Sequence, residues 1–77
     1  MIDSNKVPAD SITVSLNGES RRVPASSRLS DAISAWEIVP RGIAIAVNEQ
    51  FVPRGEYAAT ALREGDSVEV LEPMQGG

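Results

Sequence analysis

The alternation of polar and apolar residues near the start of the chain predicts a β-hairpin. In residues 11–16 every second side chain is apolar, which is typical of a strand with one buried face. Asn17 and Gly18 follow, and this dipeptide favours a two-residue turn because both positions tolerate positive φ angles. Residues 21–24 then predict a short return strand. We expect this hairpin to have a structural role.

The next pattern predicts one amphipathic helix. An apolar stripe at helical spacing is formed by Leu29, Ala32, Ile33 and Trp36. Ser27 is the best N-cap candidate, and Asp31 is favourable in the first turn. The helix should end before Pro40, because the residue preceding a proline disfavours the helical region. We expect Trp36 to be the main core residue between helix and sheet, the alternative being an anchor for a partner.

The remaining pattern predicts two strands and a short strand between them. Residues 42–48 form a strand with large side chains facing the helix and alanines on the other face. Residues 51–53 contain a proline and predict a short or edge strand. Residues 56–60 are too few for a full helix and predict a single turn. The final strand begins in residues 65–70 and should stop at about Pro73.

This order of elements predicts an α+β fold with two layers. A single apolar helical stripe has to bury itself against a sheet face. If the final strand pairs in parallel with the first, the result is a mixed sheet of about four to five strands, which resembles the β-grasp arrangement of ubiquitin. We assign residues 1–10 to a mobile N-terminal extension, 11–72 to the β-grasp domain and 73–77 to a flexible C-terminal tail.

The composition argues against an independent enzyme. The 77 residues include no Cys and no His, so a disulfide, a thiolate nucleophile, a thiolate metal site and a histidine base are all excluded. The apolar fraction of 42% nevertheless suits a packed core. We therefore expect a chain with no catalytic residues, no metal site and no cofactor of its own.

The charge pattern favours a protein partner. The formal net charge is −4, and only Arg21 and Arg22 are adjacent among the basic residues, so nucleic acid is a poor ligand. An acidic surface suits a basic docking surface on another protein, although a merely solvated surface has the same composition. No apolar run approaches the ~20 residues that cross a membrane, and the first residues lack a secretory pattern. We expect no membrane association and a cytoplasmic location.

The C-terminal residues are the candidate functional site. The chain ends in Met74, Gln75, Gly76 and Gly77. Because glycine has no Cβ, such a tail can enter a narrow cleft in a partner and present its terminal carboxylate there. The alternative is a frayed end made of common loop residues.

Leu71 is a candidate docking contact beside this tail. Val68 and Val70 should face the core, so the alternation of the final strand points Leu71 to the outside. We expect docking on the sheet face away from the helix. Packing of Leu71 beneath a loop is the alternative, and its solvent exposure distinguishes the two.

Several short motifs occur in an order that is typical of one protein family. They are Leu16-Asn17-Gly18, Leu29-Ser30-Asp31, Pro40-Arg41-Gly42, Ala44-Ile45-Ala46-Val47-Asn48, Val52-Pro53-Arg54, Leu62, Gly65-Asp66, Val68-Glu69-Val70 and Gln75-Gly76-Gly77. On these motifs, roughly Ile12 to Gly77 is similar to ThiS, the family of small β-grasp sulfur carriers of thiamine biosynthesis. Arg28 stands where that family usually has Thr, so the helix cap is expected to shift to Ser27. The N-terminal extension is longer than usual.

The resemblance implies a cycle at the C-terminus. An E1-like adenylyltransferase (ThiF-like) would use ATP and Mg²⁺ to adenylate the Gly77 carboxylate. A sulfur donor such as a cysteine desulfurase would convert it to a thiocarboxylate, and a thiazole synthase (ThiG-like) would receive the sulfur. Gly76, Gln75 and Met74 would enter the partner's active site.

Three other functions share parts of this pattern. A MoaD-like small subunit of molybdopterin synthase has the same fold and the same Gly-Gly end. A ubiquitin-like modifier forms isopeptide bonds through that end, and a plain β-grasp interaction domain has an inert terminus. The short central region and the segment 52–54 favour ThiS.

Overall fold

The computed structural model of the chain describes residues 10–72, which form one mixed sheet and one α-helix. The elements in chain order are β1 (Ser11–Leu16), β2 (Glu19–Pro24), α1 (Leu29–Ala35), β3 (Ala44–Val47), β4 (Gln50–Val52), a 3-10 helix (Arg54–Ala59) and β5 (Ser67–Leu71). The predicted extension and tail lie outside the described residues, apart from Asp10, so both assignments stay predictions.

The strand order is β2-β1-β5-β3-β4. β1 and β5 are parallel, whereas the β1–β2, β3–β4 and β3–β5 pairs are antiparallel. This arrangement confirms the predicted α+β class, the β-grasp topology and the parallel pairing of the last strand with the first. It also places β5 in the middle of the sheet, with a hairpin on each side.

The β1–β2 hairpin forms at the predicted turn. Asn17 has a φ of 50° and Gly18 a φ of 89°, as a two-residue turn with two positive φ angles requires. β2 begins at Glu19, two residues before the predicted return strand, since β1 and β2 stay paired up to the turn. Along β2 only Val23 is buried, because this strand forms one edge of the sheet.

The core lies between α1 and the sheet face that it covers, which we call the inner face. α1 contributes Leu29, Ala32 and Ile33, as the apolar stripe predicts. The largest fully buried side chains are Leu29, Ile45, Val14 and Val68. The main core positions are therefore aliphatic.

The prediction that Trp36 is the main core residue is wrong. α1 ends at Ala35, and Trp36 is its C-cap, where it is only partly buried against the core. Glu37 has a φ of 61°, and the N–H of Ile38 donates to the carbonyl of Ile33 at 2.9 Å. These contacts form a Schellman motif, with Ile38 packing where the motif places its apolar contact. The helix therefore ends well before Pro40.

The predicted N-cap is also wrong, because the cap residue is Arg28. The backbone N–H of Arg28 donates to Oδ2 of Asp31 at 2.9 Å, so Asp31 stabilises the first turn as expected. Ser27 is buried and its carbonyl accepts the N–H of Leu62 at 3.1 Å. This pairing with the segment before β5 holds Ser27 outside the helix.

The segment after α1 contains a second hairpin, in which β3 and β4 pair antiparallel. The predicted strand over 42–48 is shorter in the structure, where β3 has four residues. Asn48 and Glu49 form a two-residue turn with φ angles of 53° and 70°. β4 is the short edge strand that Pro53 predicts. The following 3-10 helix is longer than the predicted single turn, because it has six residues and buries Tyr57.

Candidate functional site

The structure places the point where the C-terminal tail leaves the sheet. The predicted site residues Met74, Gln75, Gly76 and Gly77 lie outside the described residues. β5 ends at Leu71, and Glu72 is the last residue described. Because β5 is the middle strand, the tail begins at a strand that is paired on both sides.

Leu71 lies on the outer face of the sheet. It is 54% exposed and pairs with Ala44 of β3, whereas Val68, three residues earlier, is fully buried on the inner face. Leu71 therefore does not pack beneath a loop. Its exposure is what a contact for a partner requires.

Leu71 is part of a larger apolar strip, which we call the outer strip: Ala44, Ala46, Phe51 and Leu71. Phe51 of β4 is 66% exposed and lies opposite Ala46 of β3. Ala46 also pairs with Glu69 of β5, and these two larger neighbours leave the alanine only 9% exposed. The outer strip thus runs from the β4 edge to the start of the tail, with Glu69 beside it.

Phe51 is a member of this surface that sequence reasoning missed. The sequence does indicate the exposure of Phe51, because Phe51 precedes the buried Val52 in the alternation of β4 and so faces away from the core. The alanines of β3 were recognised as the small face of that strand. Which side chains stand beside them depends on strand pairing, and that pairing is visible only in the folded sheet.

An asparagine from the β1–β2 turn holds the end of β5. The backbone N–H of Val70 donates to Oδ1 of Asn17 at 2.8 Å, and the backbone N–H of Asn17 donates to the carbonyl of Val68 at 2.9 Å. Sequence reasoning recognised Asn17 for its turn conformation alone. Its contact with β5 is long-range, and no local pattern predicts it.

A groove of about 580 Å³ adjoins the same place on the inner side of the sheet. Val70 and Glu72 line it, together with Arg41 and Val39 from the segment between α1 and β3. Val39 is 69% exposed, so an open apolar side chain lies at the groove beside the charged Arg41 and Glu72. The start of the tail is therefore bordered by the outer strip on one face and by this groove on the other.

Among residues 10–72, no three potential metal ligands of the His, Cys, Asp or Glu type lie close enough together to hold an ion. No helix in that range is long and apolar enough to cross a membrane.

Residues 14–77 match the model of the ThiS family. The chain belongs to the ThiS family. The resemblance seen in the sequence motifs is thereby confirmed, and it extends through the Gly-Gly end.

Proteins of two kinds are similar to this chain. The sulfur carrier protein ThiS of Thermus thermophilus is 36% identical over 62 residues, which cover 80% of this chain and 95% of that protein. Thiazole synthases of Magnetococcus marinus and Paramagnetospirillum magneticum are 33% and 31% identical over 83% and 80% of this chain. The chain spans only about a fifth of their length, since the matches cover 20% and 19% of those proteins.

A solved structure has the same fold. The crystal structure of the thiamine biosynthesis protein ThiS from Geobacter metallireducens superimposes with a TM-score of 0.75 at 26% identity. The match covers 86% of this chain and 100% of that one. The β-grasp fold, which the strand order shows for this chain, is thus shared with a solved ThiS structure.

Proposed function

We propose that this protein is a sulfur carrier for thiazole formation in thiamine biosynthesis. The observation that carries the proposal is the family match over residues 14–77, which includes the terminal Gly76 and Gly77. A full-length relative named as a ThiS sulfur carrier supports it. In this proposal the protein has no catalytic residues and is itself acted on by its partners, in the cytoplasm.

The chemistry takes place at the α-carboxylate of Gly77. A carboxylate oxygen attacks the α-phosphorus of ATP on an E1-like (ThiF-like) partner, and pyrophosphate leaves while that partner's Mg²⁺ offsets the developing charge. A persulfide sulfur from a donor such as a cysteine desulfurase displaces AMP. Cleavage of the resulting disulfide by a thiol leaves the thiocarboxylate. Because the chain has no Cys, the terminus is the place where this protein can hold the sulfur.

The acceptor in this proposal is a thiazole synthase (ThiG-like). In two relatives that bear that name, the segment similar to this chain makes up about a fifth of the protein. Joining two functions in one chain gives each a high effective concentration near the other. In this proposal, the β-grasp domain reaches such an acceptor by docking.

Docking would use the outer strip. It combines two large exposed apolar side chains, Phe51 and Leu71, on the face away from α1. Leu71 is within a few residues of the reacting terminus, so a partner that covers the outer strip also receives the tail. Met74, Gln75 and Gly76 would then enter the active site, where the missing Cβ of Gly76 permits close approach.

Mass spectrometry of the intact protein tests the proposal. After incubation with ATP, the activating enzyme and a sulfur source, we expect the wild-type chain to carry one sulfur in place of one oxygen. Deletion of Gly77 should abolish this change, and Gly76→Val should reduce it strongly, while circular dichroism shows an unchanged fold. A normal yield of thiocarboxylate from either variant would contradict the assigned role of that glycine.

The same incubation separates the proposal from other functions of this fold. A modifier would become bonded to lysines, and an inert domain would keep its mass. Co-purification then distinguishes the acceptors, because a large molybdopterin-synthase subunit bound in place of a thiazole synthase would indicate the MoaD-like role.

A further inference from the structure

Each end of β5 is held by an asparagine from a hairpin turn. At the start, the N–H of Asn48 donates to the carbonyl of Ser67 at 2.8 Å, and the N–H of Ser67 donates to Oδ1 of Asn48 at 2.9 Å. At the end, the N–H of Asn17 donates to the carbonyl of Val68 at 2.9 Å, and the N–H of Val70 donates to Oδ1 of Asn17 at 2.8 Å. Each asparagine therefore binds β5 through its backbone N–H and its side-chain oxygen, Asn48 at Ser67 alone and Asn17 at Val68 and Val70.

The side chain of Asn17 continues a ladder that the backbone of β1 cannot continue. The parallel pairing of β1 and β5 ends where Leu16 lies beside Val68. Asn17 then turns away toward β2 with a φ of 50°, and its carboxamide reaches the N–H of Val70. The last residues of β5 are thereby held on the β1 side as well as on the β3 side, where Ala44 pairs with Leu71.

We propose that Asn17 is a positioning residue for the C-terminal tail: its carboxamide keeps the end of β5 in the sheet, so that Leu71 and the start of the tail are presented in one arrangement. This role rests on the proposed function. Strand ends next to a chain terminus open locally at low free-energy cost. When the end of β5 opens, Leu71 leaves the outer strip, and the residues from which the tail extends are no longer held in the sheet. A partner binds only the closed fraction, so its apparent affinity falls with that fraction.

The chain offers a matched set of variants. Asn17→Gly keeps a residue that adopts positive φ and removes the acceptor, whereas Asn17→Asp keeps an oxygen at Oδ1. Asn48→Gly makes the same deletion at the other end of β5. It also removes the bond from Nδ2 of Asn48 to Oδ1 of Asp66 at 2.9 Å, so its cost in stability should be no smaller than that of Asn17→Gly.

Amide hydrogen exchange of the free protein provides the first measurement. We expect Asn17→Gly to accelerate exchange at Val70 and Leu71 and to leave Ser67 nearly unchanged. Asn48→Gly should accelerate Ser67 and leave Val70 nearly unchanged. A general loss of stability would accelerate exchange at both ends of β5 in either variant. The expected contrast between the variants therefore indicates local opening.

The kinetics of ATP-dependent activation provide the second measurement, taken below the temperature at which any variant unfolds. Loss of one hydrogen bond of ordinary net strength multiplies the ratio of open to closed strand ends about fivefold, so the KM for the carrier should rise in Asn17→Gly, by up to about fivefold. The kcat should be unchanged, because the bound state is closed. Asn17→Asp and Asn48→Gly should retain the wild-type KM.

Two results would overturn this role while leaving the proposed function intact. Equal increases of KM in Asn17→Gly and Asn48→Gly would show that only overall stability matters. A wild-type KM in Asn17→Gly, despite faster exchange at Val70, would show that the partner does not depend on the end of β5. If the wild-type chain is not activated at all, the proposed function fails and this role fails with it.

Discussion

The individual leucines show how position in the fold decides the contribution of a residue. Leu29 begins α1 and is fully buried, whereas Leu71 ends β5 and is 54% exposed. Because the side chains are identical, their contributions to stability differ only through the packing contacts that each one makes. Leu29 is a core residue, and Leu71 is available to a partner.

Leu29→Ala should lower the free energy of unfolding by about 2–5 kcal/mol, because truncation leaves a cavity as well as losing buried apolar area. Leu71→Ala should change the same quantity by less than about 0.5 kcal/mol, as is usual for exposed sites. Urea denaturation followed by circular dichroism measures both. Similar losses in the two variants would mean that Leu71 packs into the structure more tightly than its exposure indicates.

At the scale of the elements, the two hairpins use the same turn geometry with different residues. The β1–β2 turn has Asn17 and Gly18, whereas the β3–β4 turn has Asn48 and Glu49. A glycine accepts a positive φ without cost, but Glu49 adopts a φ of 70° with a side chain. The second hairpin is therefore strained at one residue, because its turn lacks the glycine that favours this geometry.

Glu49→Gly should stabilise the protein by about 1 kcal/mol, because the left-handed conformation costs a residue with a Cβ roughly that amount. The turn then becomes Asn-Gly, which favours this type of hairpin. Gln50→Gly is the control, since residue 50 lies in β4 and a glycine within a strand is destabilising. Thermal denaturation measures both, and a lower melting temperature for Glu49→Gly would contradict the strain.

At the scale of the whole molecule, the fold gathers the candidate contacts around the end of one strand. β5 is central, its outer face carries Leu71 next to the rest of the outer strip, and the β1–β2 turn supplies Asn17 to hold it. The groove on the inner side adjoins the same point. A rigid sheet thus carries a terminus whose chemistry belongs, in the proposed function, to partner enzymes.

A charge in the outer strip should weaken docking to the activating enzyme. Leu71→Asp should raise the KM for the carrier about tenfold, because the contact would bury an unpaired carboxylate. Val39→Asp is the matched control, since Val39 is 69% exposed but lies by the groove on the inner side. Melting temperatures confirm that both variants are folded. A larger effect of Val39→Asp would place the docking surface at the groove.

The sequence by itself determined the type and order of the elements, the inner and outer faces of the strands and the family. These features follow from local rules, since alternation assigns Val68 and Leu71 to opposite faces and Asn17-Gly18 specifies a turn. The Gly-Gly end and its motifs identified the candidate site, although residues 73–77 lie outside the described part of the structure.

Only the tertiary structure decided where α1 ends, how Phe51 and Leu71 come to share a surface, and what Asn17 binds. Glu37 closes a Schellman motif that leaves Trp36 at the end of the helix, so the apolar stripe alone misjudged the core. The bond from Val70 to Asn17 joins residues 53 positions apart. Contacts at such a distance in sequence depend on which strands pair, and pairing is fixed by the packing of the whole sheet on one helix.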